Sequence, residues 1–177
     1  MLIGAATVVV FPQTVPLILD FLFETFKNIL GTTSLQPGLP LAQALLRQNL
    51  QASLYDLVFG AAFGILPVFS IFGNFFITGF LGGISLFPRL LPEPSNLSFG
   101  VYLLAILPHG IFEIPALLLA AAFGLRLGWQ WLLPSSRGRR KQVFKQGLLD
   151  NAKILVLILV LLIIAAAVES FVTSRLV

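Results

Sequence analysis

Apolar positions dominate the chain, and the points at which they are interrupted set its elements. The clearest run is Ile154 to Val168, fifteen consecutive apolar residues between Lys153 and Glu169. At about 1.5 Å rise per residue this run falls short of a ~30 Å hydrocarbon core. Extended to 151–172, with the Lys153 ammonium snorkelling to the interface, it crosses the membrane. A second apolar stretch, 99–128, is uncharged except for His109, Glu113 and Arg126, and it holds Pro108 and Pro115. Proline removes a helical hydrogen bond, a loss tolerated in membrane helices where neighbours re-satisfy the freed carbonyls. This span is therefore expected to be kinked or broken. Between Leu50 and Leu91 the chain is apolar over 42 residues with few interruptions, the length of two spans. Pro67 and Gly73 place the reversal at Pro67–Asn74, which gives spans at 50–66 and 68–90.

Nearer the start, residues 2–11 supply half a span before Pro12, and no basic segment precedes them as it would in a secretory signal. Over 15–30 the polar residues Asp20, Glu24, Lys27 and Asn28 recur at helical spacing, with Leu17, Leu22, Phe26 and Leu30 opposite. Thr14 can cap this helix, Pro16 sits in its first turn and Gly31 ends it. The pattern predicts a helix lying in the membrane interface; the alternative is a tilted span with its polar stripe turned into the bundle. Residues 32–40, rich in Gly, Pro, Ser and Thr, read as a linker.

Composition agrees with this reading. Only 10% of the 177 residues are charged and 58% are apolar, with mean hydropathy +0.99. A soluble domain carries roughly 25% charged residues, so a water-soluble globule is excluded. The expected architecture is all-α, a polytopic membrane helix bundle of about five spans, the first partial. Net charge is +4, and seven of the eleven basic residues lie between Arg126 and Lys153. By the positive-inside bias the loop 129–150 is cytoplasmic in a multi-pass protein of the cell membrane. Counting back, Arg89–Ser98 is external, Pro67–Asn74 cytoplasmic and Asp20–Arg47 external. Trp129 and Trp131 stand where interfacial aromatics belong.

The chain lacks cysteine and has one histidine, so thiolate sites and sites built from several histidines are excluded. No metal or cofactor is expected. His109 and Glu113, four residues apart, share a helical face at membrane depth between Pro108 and Pro115, and an ionisable pair there is a functional-site hypothesis by default. A metalloprotease needs a second histidine. Ser70 and Ser85 are available as nucleophiles, but neither sits in a Gly-x-Ser-x-Gly turn. A proton or ion relay fits the pair's chemistry. So does a structural role, in which the pair bonds the carbonyls freed by Pro108 and Pro115 and locks helix packing. Asn49 and Asn74 are amides able to bridge helices or meet a polar ligand. The run from Arg137 to Lys141 could grip acidic lipid or nucleic acid, but a topogenic anchor explains it more simply, and no interleaved aromatics argue for bases. Gly60/Gly64, Gly79/Gly83 and Gly124/Gly128 repeat the Gly-x-x-x-Gly spacing that lets helix backbones approach. Exposed glycine faces would also permit a homo-oligomer.

The stretch Leu107-Pro108-His109-Gly110-Ile111-Phe112-Glu113-Ile114-Pro115-Ala116, followed by Gly124-Leu125-Arg126-Leu127-Gly128, resembles the signature of the stage II sporulation protein M family of integral membrane proteins. Gln48-Asn49, Gly60-x-x-x-Gly64-Ile65 and Asn74 before Gly79 are similar to the family's preceding helical hairpin. Phe75 stands where the family usually has glycine, and residues 2–11 replace a full first span. The resemblance implies a membrane scaffold or assembly factor without enzyme activity, working with protein partners of the cell envelope. In spore formers the named member recruits peptidoglycan-degrading proteins to the engulfing membrane. The residues themselves keep a second expectation open: a small transporter or permease-like subunit with His109 and Glu113 on a proton or solute path.

Overall fold

A computed structural model of the chain describes residues 1–30, 37–90, 98–133 and 136–175. The described residues form six α-helices and no strand: α1 (Leu2–Val10), α2 (Val15–Leu30), α3 (Leu39–Phe59), α4 (Ile65–Leu86), α5 (Phe99–Gln130) and α6 (Arg140–Phe171). By length and composition α4, α5 and α6 can cross a membrane, and a fourth crossing is reached if the bent pair α1–α2 counts as one. The all-α membrane reading of the sequence stands, with element boundaries that differ in instructive ways.

The hairpin reverses at Gly60–Gly64, upstream of the predicted Pro67–Asn74. Phe63 and Gly64 take φ of 60° and 70°, two successive left-handed residues that turn the chain sharply. Pro67 is the third residue of α4, where the missing N–H has no intrahelical partner to lose. Gly73 lies inside α4 with open space where a side chain would be. The helix before the turn begins at Leu39, eleven residues upstream of the predicted span 50–66, so Leu39 and Pro40 leave the predicted linker. Residues 32–36 of that linker lie outside the described residues, as do Gly31, the predicted helix end, and 91–97 of the segment Arg89–Ser98.

α5 runs unbroken through Pro108 and Pro115, with Ser98 Oγ accepting the Val101 N–H at 3.3 Å as its N-cap. The predicted loop 129–150 is halved, because Arg140 already opens α6 and the basic residues Arg140, Lys141 and Lys145 lie on its first exposed turns. Trp131 packs between Phe63 and Phe144, with centroids at 6.3 and 6.4 Å, tying the α3–α4 turn to this end of α6.

All three glycine pairs are spent inside the chain. A Cβ at Gly60, Gly124 or Gly128 would run into backbone of the facing element: Gly124 for the first, Asp56 for the second, Gly60 and Gly64 for the third. Gly79 and Gly83 of α4 meet the backbone of Met1, the N-cap of α1, and of Ala5 within it. The expectation that free glycine faces promote self-association thus loses its basis, since helices of the same chain occupy them. The pairing Met1 with Gly79 and Ala5 with Gly83 shows that α1 runs in the same direction as α4 and covers only its last turns. This is the partial span that the sequence predicts.

After α1 the chain bends by 102° into α2. Asp20, Glu24 and Asn28 are exposed there; the side chain of Lys27 lies outside the described residues. Val15 and Leu22 are buried with Val8, Phe80 and Ile84. Leu17, assigned by periodicity to the buried face, is 73% exposed. A second core joins α3, α5 and α6 through Leu57, Ala116, Ala120, Ile158 and Leu162.

α6 holds α3 at both ends. Asn151 Nδ2 donates to the Leu57 carbonyl at 2.8 Å, and Ser170 Oγ engages both the N–H and the carbonyl of Gly38. Nineteen residue steps separate Gly38 from Leu57, and nineteen separate Asn151 from Ser170. The two helices are therefore antiparallel and in step over about 28 Å, close to the hydrocarbon thickness. Although α3 is too polar to qualify by hydropathy, it lies at the same depth as the apolar run of α6.

Candidate functional site

His109 and Glu113 project from one face of α5, as the four-residue spacing requires, and their closest atoms, His109 Nε2 and Glu113 Oε2, are 3.7 Å apart. The nearer partner of the imidazole is a residue the sequence reading missed. Glu169, at the far end of α6, places Oε2 at 2.5 Å from His109 Nδ1. One imidazole thus bridges two carboxylates, all three side chains being mostly buried, at 17%, 24% and 29% exposure for His109, Glu113 and Glu169. Asn49 of α3 lies near Glu113.

Glu169 directly follows the apolar run of α6, so His109 sits at the edge of the hydrocarbon layer. Four residues along α5, Glu113 is about 6 Å deeper. The expected bonding to carbonyls freed by Pro108 and Pro115 is not found: among the described residues neither side chain donates to them. The imidazole lies within ion-pair distance of two carboxylates instead. With its two nitrogens aimed at different carboxylates, the triad offers no convergent set of lone pairs, and no metal-binding group of three or more such residues is present among the described residues.

A cavity of about 310 Å³ opens beside the triad. His109, Glu113 and Gln48 contribute to its wall, together with Ser70, Asn74 and Thr78, which recur every four residues along α4. Asn74 Nδ2 donates to the Ser70 carbonyl at 2.9 Å and Thr78 Oγ1 to the Asn74 carbonyl at 2.8 Å, both within α4. Asn74 therefore lines the cavity, and among the described residues its amide donates within α4. Leu22 and Thr25 of α2 complete the wall on one side. Nearby, the Tyr102 hydroxyl donates to the Thr78 carbonyl at 2.7 Å, fixing α5 against α4.

Arg126 belongs to a separate cluster at the other end of α5. Its guanidinium donates to Asp150 Oδ2 at 2.9 Å and lies 5.7 Å from the centre of the Phe123 ring, while Gln146 holds the second oxygen of Asp150 at 3.0 Å. Seventeen residues of α5 separate His109 from Arg126, about 26 Å. Two ion-paired levels, one near each edge of the apolar layer, hold α5 against α6.

The profile of the family described as stage II sporulation protein M matches residues 1–174. The chain belongs to that family. Two uncharacterised proteins of the archaeon Methanocaldococcus jannaschii are similar to it. One is 30% identical over 133 residues, 75% of this chain and 70% of the relative. The other is 28% identical over 162 residues, 88% of this chain and 68% of the relative. No solved structure matches. Within this family member, the stretch from Leu107 to Ala116 that carries the resemblance is also the stretch that holds the triad and borders the cavity.

Proposed function

We propose that this protein is a non-enzymatic, multi-pass scaffold of the cell membrane that assembles protein partners of the envelope. The observation that carries the proposal is how the chain spends its polar and small residues. Glu113, His109 and Glu169, then Arg126 with Asp150, Asn151 with the Leu57 carbonyl and Ser170 with Gly38 fasten one helix to another. The glycine pairs do the same through backbone contact. The product is a braced bundle, suited to presenting fixed surfaces to lipids and partner proteins. The exposed basic residues Arg137, Arg139, Arg140, Lys141 and Lys145 form its cytoplasmic side and attract anionic lipid.

The cavity favours a second reading, a small permease-like subunit in which Glu113 faces a proton or solute path. Glu113→Gln separates the two. As a scaffold, the variant loses protein level or co-purifying partners, and liposomes containing wild-type protein show no pH-dependent flux above protein-free ones. As a transporter, the variant stays folded in the membrane and abolishes a flux that the wild type displays.

A further inference from the structure

α3 carries a feature that the bundle does not absorb. Gln43, Arg47, Gln51 and Tyr55 recur every four residues and are all exposed, while Ser53, Asp56 and Leu57 on the other side are buried. The two contacts that hold α3 in step with α6 set the depth of this stripe. Arg47 is nine steps from Gly38 and is therefore level with Leu161, the midpoint of the apolar run Ile154–Val168. An arginine at the centre of a bilayer is costly and normally faces a protein interior. From mid-depth, ~15 Å from either surface, its side chain is too short to snorkel out. Among the described residues Arg47 forms no ion pair.

We propose that the Gln43–Arg47–Gln51–Tyr55 face receives a transmembrane helix of a different chain, one bearing a carboxylate at mid-depth. This rests on the scaffold reading and names the partner's chemistry. Charge complementarity supplies the carboxylate, and the flanking amides supply hydrogen bonds of the kind that join helices in lipid. A second copy fits poorly. Two copies related by a two-fold axis along the membrane normal would set Arg47 against Arg47 if they met through this face. Among the described residues the chain's own acids lie elsewhere: Asp56 is buried, Glu113 faces the cavity, and Asp150 and Glu169 are paired near opposite ends of the apolar run of α6. Asp20 and Glu24 lie on α2, which is turned 102° from α1, itself aligned with the last turns of α4.

The test uses the full chain, fluorescently labelled at Lys145→Cys and reconstituted in phosphatidylcholine vesicles. The probes are acceptor-labelled polyleucine transmembrane peptides with a central Glu, Leu or Lys, read by energy transfer. The Glu peptide is expected to associate about tenfold more tightly than the Leu peptide, and the Lys peptide no better than the Leu peptide. Arg47→Lys keeps the preference and Arg47→Leu erases it. Arg47→Leu also melts no lower than wild type, since leucine suits a lipid-facing position. Equal binding of Glu and Leu peptides, a preference that survives Arg47→Leu, or a destabilised Arg47→Leu each overturns the proposal. Homotypic transfer between labelled copies that is lost in Arg47→Leu overturns it in favour of a second copy. In native membranes, a photo-cross-linker at Gln43 that captures a protein only when Arg47 is intact supports the face. Capture from Val160 on α6 but never from Gln43 overturns the face and leaves the scaffold reading standing, whereas capture from neither overturns both.

Discussion

Gly124 is the position where the close approach of α3 and α5 is most exposed to a single methyl group. A Cβ there would fall on the Asp56 carbonyl and within 3.0 Å of Pro67 Cγ. The obstructing atoms are backbone and a proline ring, which cannot rotate aside, so the helices must separate. Overpacking of this kind costs about 1–3 kcal/mol. Gly73 is the control, because it lies within α4 and has nothing within 4 Å of a built Cβ. Gly73→Ala is expected to gain up to about 1 kcal/mol from helix propensity alone. The two variants should therefore differ by about 1–4 kcal/mol. For a chain of this size that is about 2–15 °C in thermal midpoint, measurable by the temperature dependence of the monodisperse peak in detergent. If Gly124→Ala melts at or above Gly73→Ala, the α3–α5 contact is not as close as described, and the bracing argument fails with it.

Other outcomes follow from the polar contacts. In double-mutant cycles scored by thermal stability, His109 with Glu169 should couple by about 1–3 kcal/mol and exceed His109 with Glu113, as the distances of 2.5 and 3.7 Å require. Equal couplings would contradict the assigned geometry. Asn151→Leu leaves the Leu57 carbonyl without its donor and should cost about 1–3 kcal/mol, and a variant as stable as wild type would show that α6 does not hold the end of α3. Arg126→Ala should cost no more than about 1 kcal/mol, since the Arg126 side chain is 46% exposed, and the loss should shrink as salt is raised. A larger, salt-independent loss would show that the pair is shielded from solvent.

The sequence exposed those features whose signals are local. Gly-x-x-x-Gly spacing pointed to close helix contacts, and each pair makes one, although the partners were Gly60 with Gly124 and α1 with α4 inside one chain. His109 and Glu113 were visible because four residues place two side chains on one face. Glu169 was not, since fifty-six residues separate it from Glu113 and only the antiparallel packing of α5 and α6 brings them together. A charge directly after an apolar run reads as a span boundary, and here it serves as one and as a partner to the imidazole. α3 was cut short at its start because Gln43, Arg47 and Gln51 hide a membrane-depth helix from any hydropathy window. Its depth emerges only from Ser170 and Asn151. Pro67 attracted the turn because proline breaks helices, yet in a first turn it fits without loss, and the reversal fell to Phe63 and Gly64, the first of which has no preference for a left-handed backbone.

The scaffold role is tested most directly by cross-linking the full chain in its native membrane, purifying it under denaturing conditions and identifying what is bound. A defined membrane or envelope protein, recovered in repeatable proportion and reduced by Glu113→Gln, is the predicted result. Recovery of lipids and the chain alone would contradict it.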